Sequence, residues 1–474
     1  MRLIRLVTLF LLLPLFPLLT IYLPAVVDAG EFKVSIENDS LSVAAEKVAL
    51  QTILLEFVAE GVTVKIDPAI NPLISINFTN LPIERALESL LKPASYSLLW
   101  ESRLQDGDNP SLRLAEIQVF QTGSKKQMKT LQPQKAPVIT KSKEGIFYVK
   151  DEILLYIPSS EVMAELRNLL RFYNATLVEH NGLPGPVTVK LPQNSDVFTI
   201  AREIKNKLDL EISQPHYAYP IQSPVHYKID STARAEIDPG YFSPTDNNVP
   251  IAILDSGLAH NAALDKFVFS SLDVMTPDTP ISDTLGHGTQ MALIASGIVK
   301  PYGSGTDNES YIPIIPIRAF DDNGFTTDLK ILAAINFALE NNARVMSLSW
   351  GSETKSAFME MALTSANDKG LIIVASAGNE PTGKPVYPAA YSSVIGVGAL
   401  DSHGKTWKNS NFGSFVTLYA PGFALLPVGY KGDPGLYGGT SISAAFVANS
   451  IAGYLSKNPA ATPQDIQNHL KTKF

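Results

Sequence analysis

Short apolar runs, each closed by small residues, dominate the second half of the chain. VPIAILDSG (Val249–Gly257), IPIIPIRAF (Ile312–Phe320), RVMSLSW (Arg344–Trp350), LIIVASAG (Leu371–Gly378) and VIGVGAL (Val394–Leu400) lack the alternation of a half-solvated strand. They predict strands of a mainly parallel sheet buried on both faces. Between them, Gly288–Ile298, Asp328–Asn341, Ala357–Lys369 and Thr440–Leu455 carry apolar residues at helical spacing, so the expected class is α/β, a mainly parallel sheet flanked by helices. The first half is patterned differently. FKVSIEN, VTVKID, LISINFT and SYSLLWE read as strands, and Leu41–Ala59 and Ile83–Leu91 as helices; in the latter Ile83, Ala86, Leu87, Leu90 and Leu91 share one face just after Pro82. The order β-α-β-β-α-β recurs over Glu144–Tyr219, with strands YVKDEILLYI, TLVEHNG, PVTVKLP and LEISQPHYAY. Its helices are Ser159–Ala175, with Val162, Leu166, Leu169, Leu170 and Tyr173 on one face, and Asp196–Leu208. Two small α+β domains are therefore expected ahead of the larger one.

The chemistry sits at the ends of these elements. Gly438 and Gly439 are expected to free the backbone for a tight turn, and Thr440 and Ser441 follow at the start of a small-residue helix. Unpaired N–H groups and the positive end of the helix dipole gather there, which favours an anion forming on a group that Ser441 attacks. A serine hydroxyl is a poor nucleophile unless a base takes its proton, and that base needs an acceptor to orient it. Asp255 closes the Val249–Gly257 strand, His287 lies between Gly286 and Gly288 at a helix start, and Asn379 follows Gly378.

Asp-Ser-Gly, His-Gly-Thr and Gly-Thr-Ser in that order, with Asp255 and His287 32 residues apart, resemble the subtilisin-like serine proteases, or subtilases. The resemblance runs from Val249 to about Leu470. It implies Ser441 as nucleophile, His287 as general base and then acid, Asp255 as the group fixing the histidine tautomer, and Asn379 as an oxyanion donor. It also implies that Ser347, Leu348, Ser349, Trp350 and Gly351 pair with the substrate backbone. The chain departs from the family pattern at Gln290, Ala445, Phe446 and Asn449, none of which is a reactive group. No cofactor is needed for such chemistry. Subtilases often bind calcium, and the loop KPYGSGTDNES with Asp307 and Glu309 is either an oxygen-ligand site or a turn.

Placed directly before this region, Glu144–Tyr219 resembles the subtilase propeptide, which assists folding and blocks the active site. Its last strand is expected to run into the cleft, with self-cleavage between about residues 218 and 226. A bond with Pro220 or Pro224 on its leaving side is a constrained tertiary amide, which leaves Ala218–Tyr219 and the bonds from Pro220 to Ser223. Phrases such as NLPIERALESLL in residues 31–101 resemble the short N-terminal domains of secretins and TonB-dependent transporters, implying a module that docks another envelope protein.

Composition adds limits. A net charge of −8 argues against a nucleic-acid partner. There is no cysteine, so no disulfide or thiol chemistry, and the seven histidines lack metal-ligand spacing. Arg2 and Arg5, an apolar stretch to Val27 and the small residues at Val27–Ala29 read as a secretory signal, so the chain is expected to be exported to the periplasm, the outer membrane or the medium. The rival is an uncleaved anchor, which Pro14, Pro17 and Pro24 weaken. The expected organisation is signal 1–29, short α+β domain 30–102, extra strand and linker 103–143, propeptide-like domain 144–220, linker 221–248 and peptidase domain 249–474. The activity expected is endoproteolysis on protein or peptide substrates, with self-processing and maturation of other exported proteins. A catalytically dead docking scaffold is the competing class. A lipase or esterase is disfavoured, because Ser441 has no Gly-x-Ser-x-Gly elbow and the order of the three groups differs.

Overall fold

The computed structural model describes residues 33–37, 40–67, 70–92, 94–103, 111–121, 128–131, 137–178, 184–227, 248–277, 279–305 and 311–474. The expected signal segment, most of the 221–248 linker and the loop residues Asp307 and Glu309 lie outside them. The chain divides into two compact units that meet at Lys129 and Thr130.

The first unit contains β1 (Lys33–Glu37), β2 (Ser40–Ala49), α1 (Leu50–Ala59), β3 (Thr63–Ile66), β4 (Leu73–Pro82), α2 (Ile83–Leu91), β5 (Ser95–Arg103), β6 (Ser111–Phe120) and the short edge strand β7 (Lys129–Thr130). One antiparallel sheet runs β1-β2-β4, and a second runs β5-β6-β3-β7. The order is thus β-β-α-β-β-α-β-β-β, and the helix expected over Leu41–Ala59 is corrected: its first half is β2. Leu41, Val43 and Ala45 are buried at the two-residue period of a strand, while irregularities between Leu41 and Val43 and between Ala45 and Val48 break that period. With the bulges included, the apolar positions mimic a longer helix. Α2 forms as expected, burying Ile83, Ala86, Leu87, Leu90 and Leu91.

The second unit opens with β8 (Ile139–Lys141), β9 (Phe147–Ile157), α3 (Ser160–Phe172), β10 (Thr176–Val178), β11 (Gly185–Lys190), α4 (Val197–Leu208), β12 (Ser213–Pro220) and β13 (Val225–Tyr227). Ser159 and Asp196 cap the two helices by accepting from the backbone N–H groups of Val162 and Thr199. Met163, Leu166 and Leu170 of α3 and Val197, Ala201 and Ile204 of α4 pack on Ile153, Leu155, Val187 and Val189 of the sheet.

The larger part follows with β14 (Ile251–Asp255), α5 (Ala262–Asp265), β15 (Leu272–Asp273), α6 (His287–Ala295), β16 (Ile314–Arg318), β17 (Phe325–Thr327), α7 (Asp328–Glu340), β18 (Val345–Leu348), α8 (Ala357–Asp368), β19 (Ile372–Ser376), β20 (Val394–Leu400), β21 (Leu418–Pro421), β22 (Phe423–Leu426), β23 (Gly435–Gly438), α9 (Thr440–Lys457) and α10 (Pro463–Lys473). Seven strands form one sheet in the order β15-β16-β14-β18-β19-β20-β21, every pairing parallel. Helix α9 is buried on all sides along most of its length, which requires its small residues Ala444, Ala445, Ala448 and Ala452. The sheet of the smaller domain does not end at β12. It continues as β10-β11-β9-β12-β17, with Ala218, Tyr219 and Pro220 facing Thr327, Thr326 and Phe325.

Candidate active site

Backbone proximity brings Asp255 and His287 together. Gly288 is the second residue of α6, and a β-carbon there would lie 2.3 Å from the Gly257 carbonyl oxygen, so only glycine lets α6 press onto the turn after β14. As a result His287 Nδ1 lies 2.7 Å from Asp255 Oδ1, and both residues are inaccessible to solvent. Opposite a carboxylate that only accepts, Nδ1 carries the hydrogen and Nε2 keeps a lone pair. Nε2 is buried and makes no hydrogen bond. Ser441 is also fully buried, at the second position of α9, and its Oγ donates to the Ser349 carbonyl at 3.4 Å. The expected glycine turn before it is corrected: Gly439 is extended at φ 177°. Gly438 belongs to β23, where a β-carbon would meet the Phe423 ring at 2.8 Å.

Asn379 is held by its oxygen. Oδ1 accepts from the Thr440 N–H and hydroxyl, both at 2.9 Å, which turns Nδ2 outward to donate to the Ser223 carbonyl at 3.2 Å. That carbonyl belongs to the chain's own segment running through the cleft. On one side β12 pairs with β17, the Ile221 N–H donates to Gly324 O at 2.8 Å, and Ile221 bridges Trp350 in antiparallel fashion. On the other, β13 pairs antiparallel with β23, and His226 stacks on Tyr437 at 4.7 Å. Between them the Gln222 side chain occupies a pocket beside Gly351 and Gly378, its Nε2 3.1 and 3.5 Å from where β-carbons on those glycines would sit, with Val386 close to both.

Of the segment expected to pair with substrate, Trp350 bridges Ile221 and Gly351 lies against the Gln222 side chain, while Ser349 contacts Ser441. Ser347 and Leu348 belong to β18, whose backbone is paired on one side with β14 and on the other with β19. A central strand has no free edge for another chain. Among the departures from the family pattern, Gln290 Nε2 donates to the Val428 carbonyl, Ala445 is buried in the core, and Phe446 meets Phe474 edge to face.

Two carboxylates that the motifs did not single out organise the site. Asp283 accepts from the N–H groups of Leu285 and Gly286, from the Thr289 N–H and hydroxyl, and from Ser256 Oγ, which in turn accepts from Gly288 N. It ties the start of α6 to the residue after Asp255. Asp283 stands three residues before Gly286, the N-cap of α6, so the usual helix-start signal does not mark it in the sequence. Asp328, first residue of α7, is wholly inaccessible and accepts from Tyr219 OH at 2.7 Å, Tyr217 N at 3.1 Å, Ser356 Oγ at 3.1 Å and Gln214 Nε2 at 3.3 Å. Burial pushes its carboxyl up to about 6, against the lowering effect of nearby His216 and of its donors. Burial also holds the Tyr219 phenol well above its ordinary range, so it stays a donor.

A parallel sheet with a buried aspartate–histidine pair at one strand end and a serine at the start of the buried helix supplies the groups that serine-type hydrolysis requires. The subtilase family profile matches residues 246–474. A subtilisin of Bacillus pumilus is 30% identical over 234 residues, covering 48% of this chain and 84% of that one. Subtilisin NAT of Bacillus subtilis subsp. natto is 29% identical over 267 residues, 55% of this chain and 69% of its own. The crystal structure of fervidolysin from Fervidobacterium pennivorans superposes with a TM-score of 0.51 at 23% identity, covering 69% of this chain and 57% of that one, a likeness of fold. The chain belongs to the subtilase family, whose members are serine endopeptidases.

Proposed function

We propose that this chain is an exported endopeptidase in which Ser441 attacks the carbonyl of an extended peptide and forms an acyl-enzyme that water then hydrolyses. His287 Nε2 takes the Ser441 proton and returns it to the leaving amine, Asp255 holds the Nδ1–H tautomer and the imidazolium, and the Asn379 amide donates to the oxyanion. The observation that carries this reading is the chain's own segment 218–227. It lies in the cleft as an added strand on both sides of the buried triad, with one carbonyl on the Asn379 amide.

The 144–220 domain then acts as a folding aid and inhibitor, and self-processing cuts Gln222–Ser223. Two features of the cleft point to different bonds. Asn379 sits on the Ser223 carbonyl, whereas Gln222 fills the side-chain pocket. The chemistry favours the second, since Ser223–Pro224 is a tertiary amide, and cleavage requires Asn379 to move from the Ser223 carbonyl to that of Gln222. Maturation of other exported proteins, and docking of an envelope partner by residues 31–101, belong to the same reading.

N-terminal sequencing and serine-directed fluorophosphonates test it. The wild type should begin at Ser223 and be inactivated by the reagent, while Ser441→Ala accumulates as a precursor from about Gly30. Inactivation by chelators alone would overturn the serine mechanism. An active wild type still beginning near Gly30 would make the 144–220 domain a permanent accessory.

A further inference from the structure

The cleft-bound segment also carries information about substrates. Counting back from Gln222, Tyr219 is the fourth residue on the acyl side of the bond. It is about 1% exposed and belongs to the buried cluster of the peptidase domain that also holds Ile315, Ile331, Trp350 and Tyr391. Its ring tilts over Trp350 at 5.3 Å, and behind Trp350 stands Phe320 at 6.2 Å. So far this is an apolar slot that would take any large side chain. The floor of the slot is different. Asp328 is inaccessible, and its shortest hydrogen bond is the one from the Tyr219 hydroxyl.

We propose that Asp328 is a specificity-determining residue, selecting tyrosine as the fourth residue on the acyl side of the bond cut. This rests on the endopeptidase reading above. An external substrate that pairs with β17 as β12 does has its backbone set by the Tyr219–Thr326 register, which carries the fourth side chain into the same slot. The other ligands of Asp328 from the smaller domain, Gln214 Nε2 and Tyr217 N, lie further from the cut, so the phenol is the partner a short peptide can reproduce. Phenylalanine fills the same volume but leaves the buried carboxylate one donor short. A site built to hydrogen-bond a substrate hydroxyl discriminates against the analogue lacking it far more than an apolar pocket discriminates by size.

The test uses the processed enzyme as secreted, its active serines counted with a fluorophosphonate. Four peptides, acetyl-X-Pro-Ile-Gln-aminomethylcoumarin with X as tyrosine, phenylalanine, 4-methoxyphenylalanine or leucine, are compared by kcat/KM. Tyrosine should exceed phenylalanine by about tenfold or more, the scale of a hydrogen bond to a charged acceptor, and the methoxy compound should be poor because it cannot donate. In Asp328→Leu the tyrosine preference should vanish or invert. Equal cleavage of the tyrosine and phenylalanine peptides by wild type would overturn the proposal, leaving Asp328 as a latch for the chain's own domain and the endopeptidase reading untouched. Absence of both cleavage and fluorophosphonate labelling would overturn the endopeptidase reading and this inference with it.

Discussion

Two buried aspartates in the peptidase domain make opposite uses of the same side chain. Asp255 is paired at 2.7 Å with the His287 ring, which the proposed mechanism turns into a cation. Asp328 is surrounded by a phenol, a hydroxyl, a carboxamide and a backbone N–H, all neutral. A buried carboxylate with only neutral donors keeps much of its desolvation cost, which is why its carboxyl rises to about 6. The first arrangement suits a group that must stabilise charge in a transition state. The second suits a group that recognises a phenol and titrates near neutrality.

The comparison breaks most visibly at the reactive end. Ser441→Ala and, separately, His287→Ala should lower peptide hydrolysis on the order of 10⁶-fold, the scale of triad removal in subtilisin, with far-ultraviolet circular dichroism unchanged. Retention of activity in either variant would remove Asp255 from its assigned role as well. Asn379→Ala should cost about 10²- to 10³-fold in kcat with little change in KM, the magnitude found for the corresponding donor in subtilisin; an effect confined to KM would show Asn379 to be a binding group.

A smaller effect is expected where Gln222 sits. Gly351→Ala brings a β-carbon to 2.5 Å from Val386 Cγ1 and 3.1 Å from Gln222 Nε2, so the pocket narrows. We expect roughly a tenfold loss of kcat/KM on peptides with glutamine before the bond and less on alanine peptides. An equal loss on both would point to a displaced backbone.

Asp328 should reveal itself by pH. The Asp328 carboxyl is at about 6 in the folded chain against an ordinary 3.8, so between those values the folded chain binds a proton that the unfolded chain has released. Its contribution to stability is therefore fully present below about pH 4 and is lost as pH rises through about 6. Thermal unfolding of Ser441→Ala, with and without Asp328→Asn, isolates this slope. The midpoint of the parent should fall relative to that of the double variant across that window, and parallel curves would show that Asp328 does not titrate there.

The candidate reactive groups stood out because the proposed chemistry demands fixed residue types next to glycines. Gly288 lies against the Gly257 carbonyl, so His-Gly and Asp-Ser-Gly read as a pair. The smaller domain was legible by periodicity, and β9 to β12 with α3 and α4 follow the expected order. Β2 was not, since two bulges scrambled its alternation. Asp328 was hidden because one aspartate at a helix start has a sufficient local explanation as a cap.

The amino-acid sequence by itself determined the order and kind of elements in the peptidase domain and singled out Asp255, His287 and Ser441 as its candidate reactive groups. Strands buried on both faces, helices of small residues and motif glycines leave local signatures within ten or so residues. The tertiary structure alone decided which segments share the cleft. That Tyr219 reaches Asp328, that Gln222 fills the pocket beside Gly351 and Gly378, and that Ser347 and Leu348 are enclosed in the sheet all depend on pairings between strands far apart in the chain. A strand edge is sequence-tolerant because its hydrogen bonds come from the backbone, so nothing in the side chains announces its partner.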